Sequence, residues 1–420
     1  MDTAARRRQR RLIPISLLQF AGGGAFTPFV FLYLSRDQGL TYPEIGQIFV
    51  FASLASSVVP ILFGVIADRY VPVNRLLMWV HVASALSVGL LSVASGRVPV
   101  SLLTVIWFTL WNASNSLYNA VCFHVLDVPR EEFGCVRGWG SLGWILPLVP
   151  IWYWHDYRDS ESLGFVLLIG VVIHILTVFV CARLPHVSPG GTSRSGSKDD
   201  EQASLPFLEA MRILLRRPSF WLLLVSACCV YWALNVMFFY SPVLFKERFQ
   251  LDQRWIGPLF NAGVPMEIVF FLVLHRVIRR VGYLGALVLG SLCLLLRQVF
   301  LAYSDSLWVI VVSSVLPALS VPLFLSSMSL TIDAIADRHV RASAQAILAV
   351  CSAGLASAAC HWFSGDIVGN DGEGLTRVFV VGALMAAVPL ITIPAVQLVE
   401  GRRLGFFAPP RDGPDDETGS

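Results

Sequence analysis

Apolar runs of bilayer length recur along almost the whole chain, and they constrain the fold more than any other feature. Only 14% of the 420 residues are charged and the mean hydropathy is +0.67, whereas soluble domains carry about 25% charged residues. An α-helix needs about 20 predominantly apolar residues to cross a bilayer. The sequence therefore predicts an all-α integral membrane protein. Runs between charged or Pro/Gly-rich breaks predict twelve transmembrane helices, at 12–34, 43–65, 76–94, 99–127, 137–154, 163–183, 219–245, 255–278, 283–303, 307–331, 342–365 and 376–398.

Lysine and arginine are unevenly distributed between the predicted loops. With a cytoplasmic N-terminus, the segments on that side carry 22 of the 31 basic residues, the opposite loops carry 7, and Arg137 and Arg297 lie inside spans. The positive-inside rule then places both termini in the cytoplasm. A nucleic-acid surface is the alternative explanation for the arginines of residues 1–11, but a basic tail beside a first span favours an orientation or lipid-contact signal. No cleavage site follows the tail, so we expect a retained first helix.

The predicted spans fall into two sets of six. Residues 187–204 form the longest polar, Gly/Ser-rich stretch away from the termini, which is typical of a flexible linker. Ile45-Gly46 and Ile256-Gly257 lie at the start of the second and eighth spans, 211 residues apart. Such repeats suit two halves related by an axis along the membrane normal. We predict two six-helix bundles, with boundaries at 1–11 (basic tail), 12–183 (first bundle), 184–218 (linker), 219–398 (second bundle) and 399–420 (tail).

Arg137 lies in an otherwise apolar stretch, within the fifth predicted span. An arginine at the bilayer centre costs about 2.5 to 3.5 kcal/mol on translocon scales, so a retained one usually faces a partner or a watery cavity. Arg137, Ser141 and Trp144 follow one another at i, i+4 and i+7, which places them on one helix face. A cation, a hydroxyl and an aromatic ring on one face suit a small polar ligand with a flat ring. This pattern indicates the substrate site of a transporter.

Asparagines on the fourth span are candidates for the same cavity. Asn112, Asn115 and Asn119 recur at i, i+3 and i+7, so all three can share a helix face. Asparagine also joins transmembrane helices through hydrogen bonds, and the two interpretations carry equal weight here. Gln19 on the first span and Asn235 on the seventh complete the predicted polar lining.

The loop after the second span resembles a known motif. Residues 64–69 (GVIADR) are similar to the cytoplasmic motif of the major facilitator superfamily between helices 2 and 3, in which the aspartate locks the inward gate. The match is partial, because the usual second basic cluster is reduced to Arg75. The resemblance implies the major facilitator fold and gating roles for Asp68 and Arg69. An aspartate such as Asp68 can bind a neighbouring helix N-terminus or arginine.

A wider resemblance is carried by short runs in both halves. Their order and spacing are similar to those of the bacterial nucleoside:proton symporters. The runs are Leu17-Leu18-Gln19-Phe20, Ile45-Gly46, residues 60–69, His81, Leu117-Tyr118-Asn119 and residues 133–144 in the first half, and Glu267, Leu296-Arg297, Ala302-Tyr303, Asp333 and residues 341–345 in the second.

This resemblance implies a monomeric secondary active transporter in the cell (inner) membrane. It would take up nucleosides together with protons by alternating access, with Asp333 and Arg341 as further gating residues. The chain is also similar to the sugar permeases, including lactose permease, so sugars and small aromatic acids are alternative substrates. An alternative of another class is a substrate-sensing receptor with a transporter fold.

The chain departs from the symporter pattern at the proton site. Where the family has an aspartate inside helix 10, this sequence has Pro322, which leaves Glu267 as the carboxylate deep in the membrane. A lone carboxylate there is costly when charged, and a group that alternates between charged and neutral forms is what a proton carrier needs. The alternative is a permanent ion pair with Arg297 or Arg137. We favour the proton role for Glu267, with Arg297 as its partner.

No pattern in the sequence points to catalysis. There is no nucleophile–base pairing, phosphate-cradling glycine loop or metal-ligand cluster, so an enzyme is the weaker class and no metal or cofactor is expected. The eight cysteines lie in or at the ends of spans without metal-type spacing and indicate small apolar filler. We expect a small molecule, protons and the lipid bilayer as partners, and no nucleic acid.

Overall fold

The computed structural model describes residues 3–126, 129–158, 162–184, 207–336 and 339–400. Over these residues the chain is helical, with no strand. The helices follow one another as twelve rods, several of them broken, with one short helix (Phe207–Leu214) before the seventh. The rods are α1 (Thr3–Phe26, Val30–Leu32 and Tyr33–Asp37), α2 (Tyr42–Arg69), α3 (Val73–Leu91), α4 (Arg97–Val125), α5 (Pro129–Ile145 and Leu148–Arg158), α6 (Gly164–Ala182), α7 (Pro218–Glu247), α8 (Gln253–Phe260 and the part of Val264–Tyr303 before Gly282), α9 (the part after Gly282), α10 (Leu307–Val312 and Val315–Ile335), α11 (Arg341–Ala349, Val350–Ala356 and Ser357–Val368) and α12 (Leu375–Ala387 and Pro389–Glu400).

The all-α membrane class is confirmed, whereas the count of twelve spans is not fully confirmed. Among the described helices, nine are long and apolar enough to cross a membrane by length and composition. The three rods outside that set are α4, α5 and α8, which carry the asparagine series, Arg137 and Glu267. Polar residues inside a span are retained where they face the protein interior or a cavity. These three rods are therefore the ones expected to surround a site.

The first helix begins earlier than predicted. Residues 3–11, predicted as a tail, continue α1 as helix, because arginine is a good helix former and the span already supplies a nucleus. Most of the predicted linker and the second tail lie outside the described residues, so the division at 184–218 stays a prediction.

Breaks divide several rods on the side of the bundle opposite the chain termini. α5 is interrupted at 146–147, where Pro147 cannot continue the hydrogen-bond ladder. α8 is interrupted at 261–263 and α10 at 313–314. Between α8 and α9 the chain turns at Gly282, whose φ of 72° lies in the left-handed region that glycine adopts without steric cost. Discontinuous helices commonly form the substrate sites of secondary transporters.

Close helix contacts fix α5 against α1. A Cβ at Gly143 would meet backbone atoms of Leu17, and a Cβ at Gly24 would meet backbone atoms of Trp144. Small residues allow transmembrane helices to approach in this way. Most of the remaining extensive packing lies within two groups, α1–α6 and α7–α12, and the main exception is the contact between α2 and α11. In the first group, α5 is therefore held closely against α1 on the side that faces the second group.

The two groups meet at the end of the bundle opposite the chain termini. There α2 packs against α11, with Gly46 directly beside the backbone carbonyl of His361. The outer segments of α5 and α8 also pack together, and Arg254 pairs with Asp156 across them. The protein is thus closed at that end, and the space between the halves lies on the side of the termini.

Candidate functional site

A cavity of about 230 Å³ lies between the two helix groups. Arg137, Ser141 and Trp144 all line it, so the predicted polar face of α5 points inward as one surface. The second half contributes Glu267 from α8 and Arg297 from α9. Five of the predicted site residues therefore meet in one place. A cation, a hydroxyl, an indole and a carboxylate around one cavity can bind a polar molecule with a planar ring.

The Arg137 guanidinium is held by an aromatic ring rather than by a carboxylate. Its Cζ lies 3.7 Å from the centroid of the Phe20 ring, a cation–π contact. Phe20 is itself packed edge-on against Tyr118 at 5.6 Å. Among the described residues Arg137 makes no ion pair, although the Glu267 carboxylate lines the same cavity. Arg137 therefore keeps hydrogen-bond donors for a ligand.

Arg297 does not pair with Glu267, contrary to expectation. It is 3% exposed and donates from Nη1 to the Ile310 carbonyl and to Ser313 Oγ, the latter at 2.5 Å. These oxygens lie at the break in α10, where the last turn of a helix leaves carbonyls without intrahelical donors. Glu267 instead lines the cavity together with Arg137 of the other half. The sequence could not predict this partner of Arg297, because every residue has a backbone carbonyl and only the break in α10 makes that of Ile310 available.

Asn261 is a site residue that the sequence analysis missed. The indole Nε1–H of Trp144 donates to Asn261 Oδ1 at 2.8 Å, and Asn261 also lines the cavity. Asn261 occupies the break in α8, just before Ala262 and Gly263. An asparagine and a glycine two residues apart within an apolar run are a turn signal. That signal could have identified the break.

The other predicted polar residues of α1 and α4 are not among those lining the cavity. Gln19 is fully buried and donates from Nε2 to Ser114 Oγ at 2.7 Å, while its Oε1 lies 3.0 Å from His81 Nε2. His81 in turn lies 3.1 Å from His174, Nδ1 to Nδ1. Because Gln19 Oε1 can only accept, Nε2 of His81 carries the proton and His174 donates to His81. This network joins α1, α3, α4 and α6.

The asparagines bind backbone oxygens of their own helices. Asn112 donates to the Phe108 carbonyl at 2.9 Å, and Asn115 donates to the Trp111 carbonyl at 3.1 Å. Asn119 is half-buried and does not line the cavity. For α4 this geometry favours the structural interpretation over substrate contact in the present conformation.

Asn235 likewise has a structural environment. It donates to the Tyr231 carbonyl at 2.7 Å and to Ser357 Oγ at 2.9 Å, which joins α7 to α11. It is not among the residues that line the cavity. A role for Asn235 in substrate binding stays a prediction.

The predicted gating residues lie at the end of the bundle that carries the termini. Asp68 and Arg69 are exposed at the end of α2. In the second half, Asp333 lies 3.9 Å from Arg341 and accepts a hydrogen bond of 3.0 Å from Gln345. These contacts join the end of α10 to the start of α11. Their part in gating stays a prediction.

Comparison with known proteins places this geometry in a family. The model of the MFS_1 like family matches residues 11–381. The chain belongs to this family. As a member of the MFS_1 like family it is a multi-pass membrane transporter of the major facilitator superfamily, not an enzyme, as the motif after α2 and the division into halves predicted.

Relatives of this member of the family carry different substrates. The xanthosine permease of Escherichia coli (strain K12) is 23% identical over 410 residues, which cover 90% of this chain and 94% of the permease. The maltose permease of Geobacillus stearothermophilus is 24% identical over 375 residues, which cover 88% and 91%. The crystal structure of the nucleoside transporter NupG superimposes with a TM-score of 0.76 at 17% identity, covering 94% of this chain and 99% of that one. This last similarity shows a common fold.

Proposed function

We propose that this protein takes up a nucleoside through the cell (inner) membrane by alternating access, coupled to the entry of protons. The observation that carries the proposal is the face of α5, whose Arg137, Ser141 and Trp144 line a cavity between the two halves. The names of the relatives, among them a xanthosine permease and the nucleoside transporter NupG, support the substrate class.

The cavity chemistry suits a nucleoside. Trp144 offers a flat ring on which a base can stack, and stacking of a base on an aromatic side chain is worth about 1 to 3 kcal/mol. Ser141 and Arg137 supply a hydroxyl and guanidinium donors for ring nitrogens and ribose oxygens. The cavity volume of about 230 Å³ is just below the usual range for ligand pockets, which is about 300 to 1,000 Å³.

The conformation fits one step of the transport cycle. With both termini in the cytoplasm, as the distribution of basic residues predicts, the closed end of the bundle faces outward. The cavity is then on the cytoplasmic side of the closure, which corresponds to an inward-facing state. In the outward-facing state, Asp68 and Arg69 would lie at the closed cytoplasmic end.

A ligand panel tests the substrate class. We expect uridine, adenosine or xanthosine to raise the thermal midpoint of the purified protein progressively, with the logarithm of the ligand concentration, because a ligand that binds only the folded state stabilises it. Maltose, lactose and benzoate should leave the midpoint unchanged. In proteoliposomes the stabilising nucleoside should also show counterflow. Stabilisation by maltose alone would favour a sugar permease, and stabilisation without counterflow would favour a receptor.

Glu267 is our proposed proton site. It is a partly buried carboxylate on the cavity wall, opposite Arg137 and without an ion pair to any described residue. When protonated it is neutral, so the loaded carrier can reorient without bringing a net charge into hydrocarbon. When deprotonated on the cytoplasmic side, Glu267 would form an ion pair with Arg137 and so compete with the substrate for the guanidinium.

Glu267→Gln tests the coupling, because glutamine imitates the protonated form. The variant should keep nucleoside binding and counterflow but lose accumulation driven by an imposed pH gradient. Asp305→Asn, which changes an exposed carboxylate between α9 and α10, is the matched control and should accumulate substrate like the wild type. Normal accumulation by Glu267→Gln would mean that this carboxylate is structural.

A further inference from the structure

A single side-chain hydrogen bond holds the Trp144 ring from the opposite half of the protein. The Nε1–H group of Trp144 donates to Asn261 Oδ1 at 2.8 Å, while Asn261 Nδ2 donates to the Gly257 carbonyl at 2.9 Å. Asn261 Nδ2 must face the Gly257 carbonyl, because only the nitrogen of the side-chain amide can donate. Asn261 Oδ1 therefore faces the indole. An indole nitrogen can only donate, so both assignments agree. The bond therefore has a defined donor and a defined acceptor.

The position of Asn261 makes it a rigid support. It is 5% exposed and lies in the break of α8, between Gln253–Phe260 and the helix that begins at Val264. Two residues further on, Gly263 packs so closely against Ser314 that a Cβ would meet the backbone of the α10 break. The turn that carries Asn261 is thus fixed by both helix segments and by α10.

We infer that Asn261 is a positioning residue, which fixes the Trp144 ring in the orientation that stacks on the substrate. The inference rests on the proposed function. A ring that is already held in its binding orientation loses less freedom when the ligand arrives, and this preorganisation increases affinity. Asn261 acts on the substrate through Trp144.

The same bond depends on the closure of the outer end. Trp144 belongs to the first half and Asn261 to the second, and they lie beside the contact between the outer segments of α5 and α8. When those segments separate, donor and acceptor separate too. The hydrogen bond between Trp144 and Asn261 therefore belongs to the conformation described here, in which the outer end is closed.

A double-mutant cycle tests the inference, with the dissociation constant of uridine for the purified protein as the readout. Asn261→Leu should weaken binding about 2- to 12-fold, the range for one neutral hydrogen bond. Trp144→Phe keeps a ring but has no N–H group. In that background Asn261→Leu should change the dissociation constant by less than about twofold, because coupled residues are not additive.

The controls separate a structural effect from a positioning effect. Thr331→Val removes another buried bond from a side chain to a backbone carbonyl, in α10 and away from the cavity. It should leave uridine binding unchanged. Asn261→Ser, which keeps a small polar side chain in the turn, replaces Asn261→Leu if the leucine variant does not fold.

The outcomes distinguish the two proposals. An equal loss from Asn261→Leu in both backgrounds would overturn the inference, since Asn261 would then act on the ligand or the fold without Trp144. If the wild type does not bind uridine or any other nucleoside, the proposed function itself fails. If it binds and the loss disappears in the Trp144→Phe background, both stand.

Discussion

Gly143 determines how closely α5 approaches α1, and alanine at this position should disturb both stability and binding. The added Cβ would meet the carbonyl oxygen, carbonyl carbon and Cα of Leu17. These are backbone atoms, so no rotamer change relieves the contact and the two helices must separate. Overpacking of this kind costs about 1 to 3 kcal/mol. The equilibrium constant for unfolding should therefore rise about 5- to 150-fold.

The same helix supplies the matched control. A Cβ at Gly138 meets nothing within 4 Å, so Gly138→Ala should leave the free energy of unfolding unchanged or raise it slightly through better helix propensity. The assay is thermal unfolding in one detergent, together with the dissociation constant of uridine. Because Gly143 lies between Ser141 and Trp144, displacement of α5 should weaken binding as well. Wild-type stability of Gly143→Ala, or an equal loss in Gly138→Ala, would refute the proposed close approach.

Three further substitutions test other contacts. Arg297→Leu should lower the free energy of unfolding by about 1 to 3 kcal/mol, because the Ile310 carbonyl and Ser313 Oγ lose a charged donor and keep only the hydrogen bond between them; an unchanged thermal midpoint would show that water replaces the guanidinium. Phe20→Leu should weaken uridine binding while Phe20→Tyr preserves it, since the cation–π contact with Arg137 is worth about 0.5 to 2 kcal/mol; equal binding by both variants would contradict this. Asp37→Ala should cost about 1 kcal/mol in denaturant unfolding, because its carboxylate accepts a hydrogen bond of 2.8 Å from the backbone at the start of α6, whereas Asp37→Asn should retain part of that stability.

Helical periodicity was sufficient to predict which residues of α5 share the face that lines the cavity. Arg137, Ser141 and Trp144 are spaced at i, i+4 and i+7, and the structure places all three on the cavity wall. The prediction succeeds because an intramembrane arginine also indicates the direction of the face, toward a partner or a cavity.

The asparagines of α4 illustrate the opposite case. Asn112 and Asn115 can also share a helix face. However, a side-chain amide can donate a hydrogen bond to the backbone carbonyl four residues earlier, as both do here. Their spacing therefore carries no information about which way the face points. Asn261 was not predicted as a site residue, because the break in α8 that contains it lies within an otherwise apolar run. Only packing shows that its amide reaches the indole of another helix.

Binding of uridine to two tryptophan variants tests the central claim most directly. Trp144→Ala removes the ring that lines the cavity, whereas Trp139→Ala removes a tryptophan of the same helix that is 43% exposed and not among the cavity-lining residues. Loss of base stacking of about 1 to 3 kcal/mol should raise the dissociation constant of uridine about 5- to 150-fold in Trp144→Ala. Trp139→Ala should bind like the wild type. Equal affinities of the two variants would contradict a nucleoside site on this face of α5.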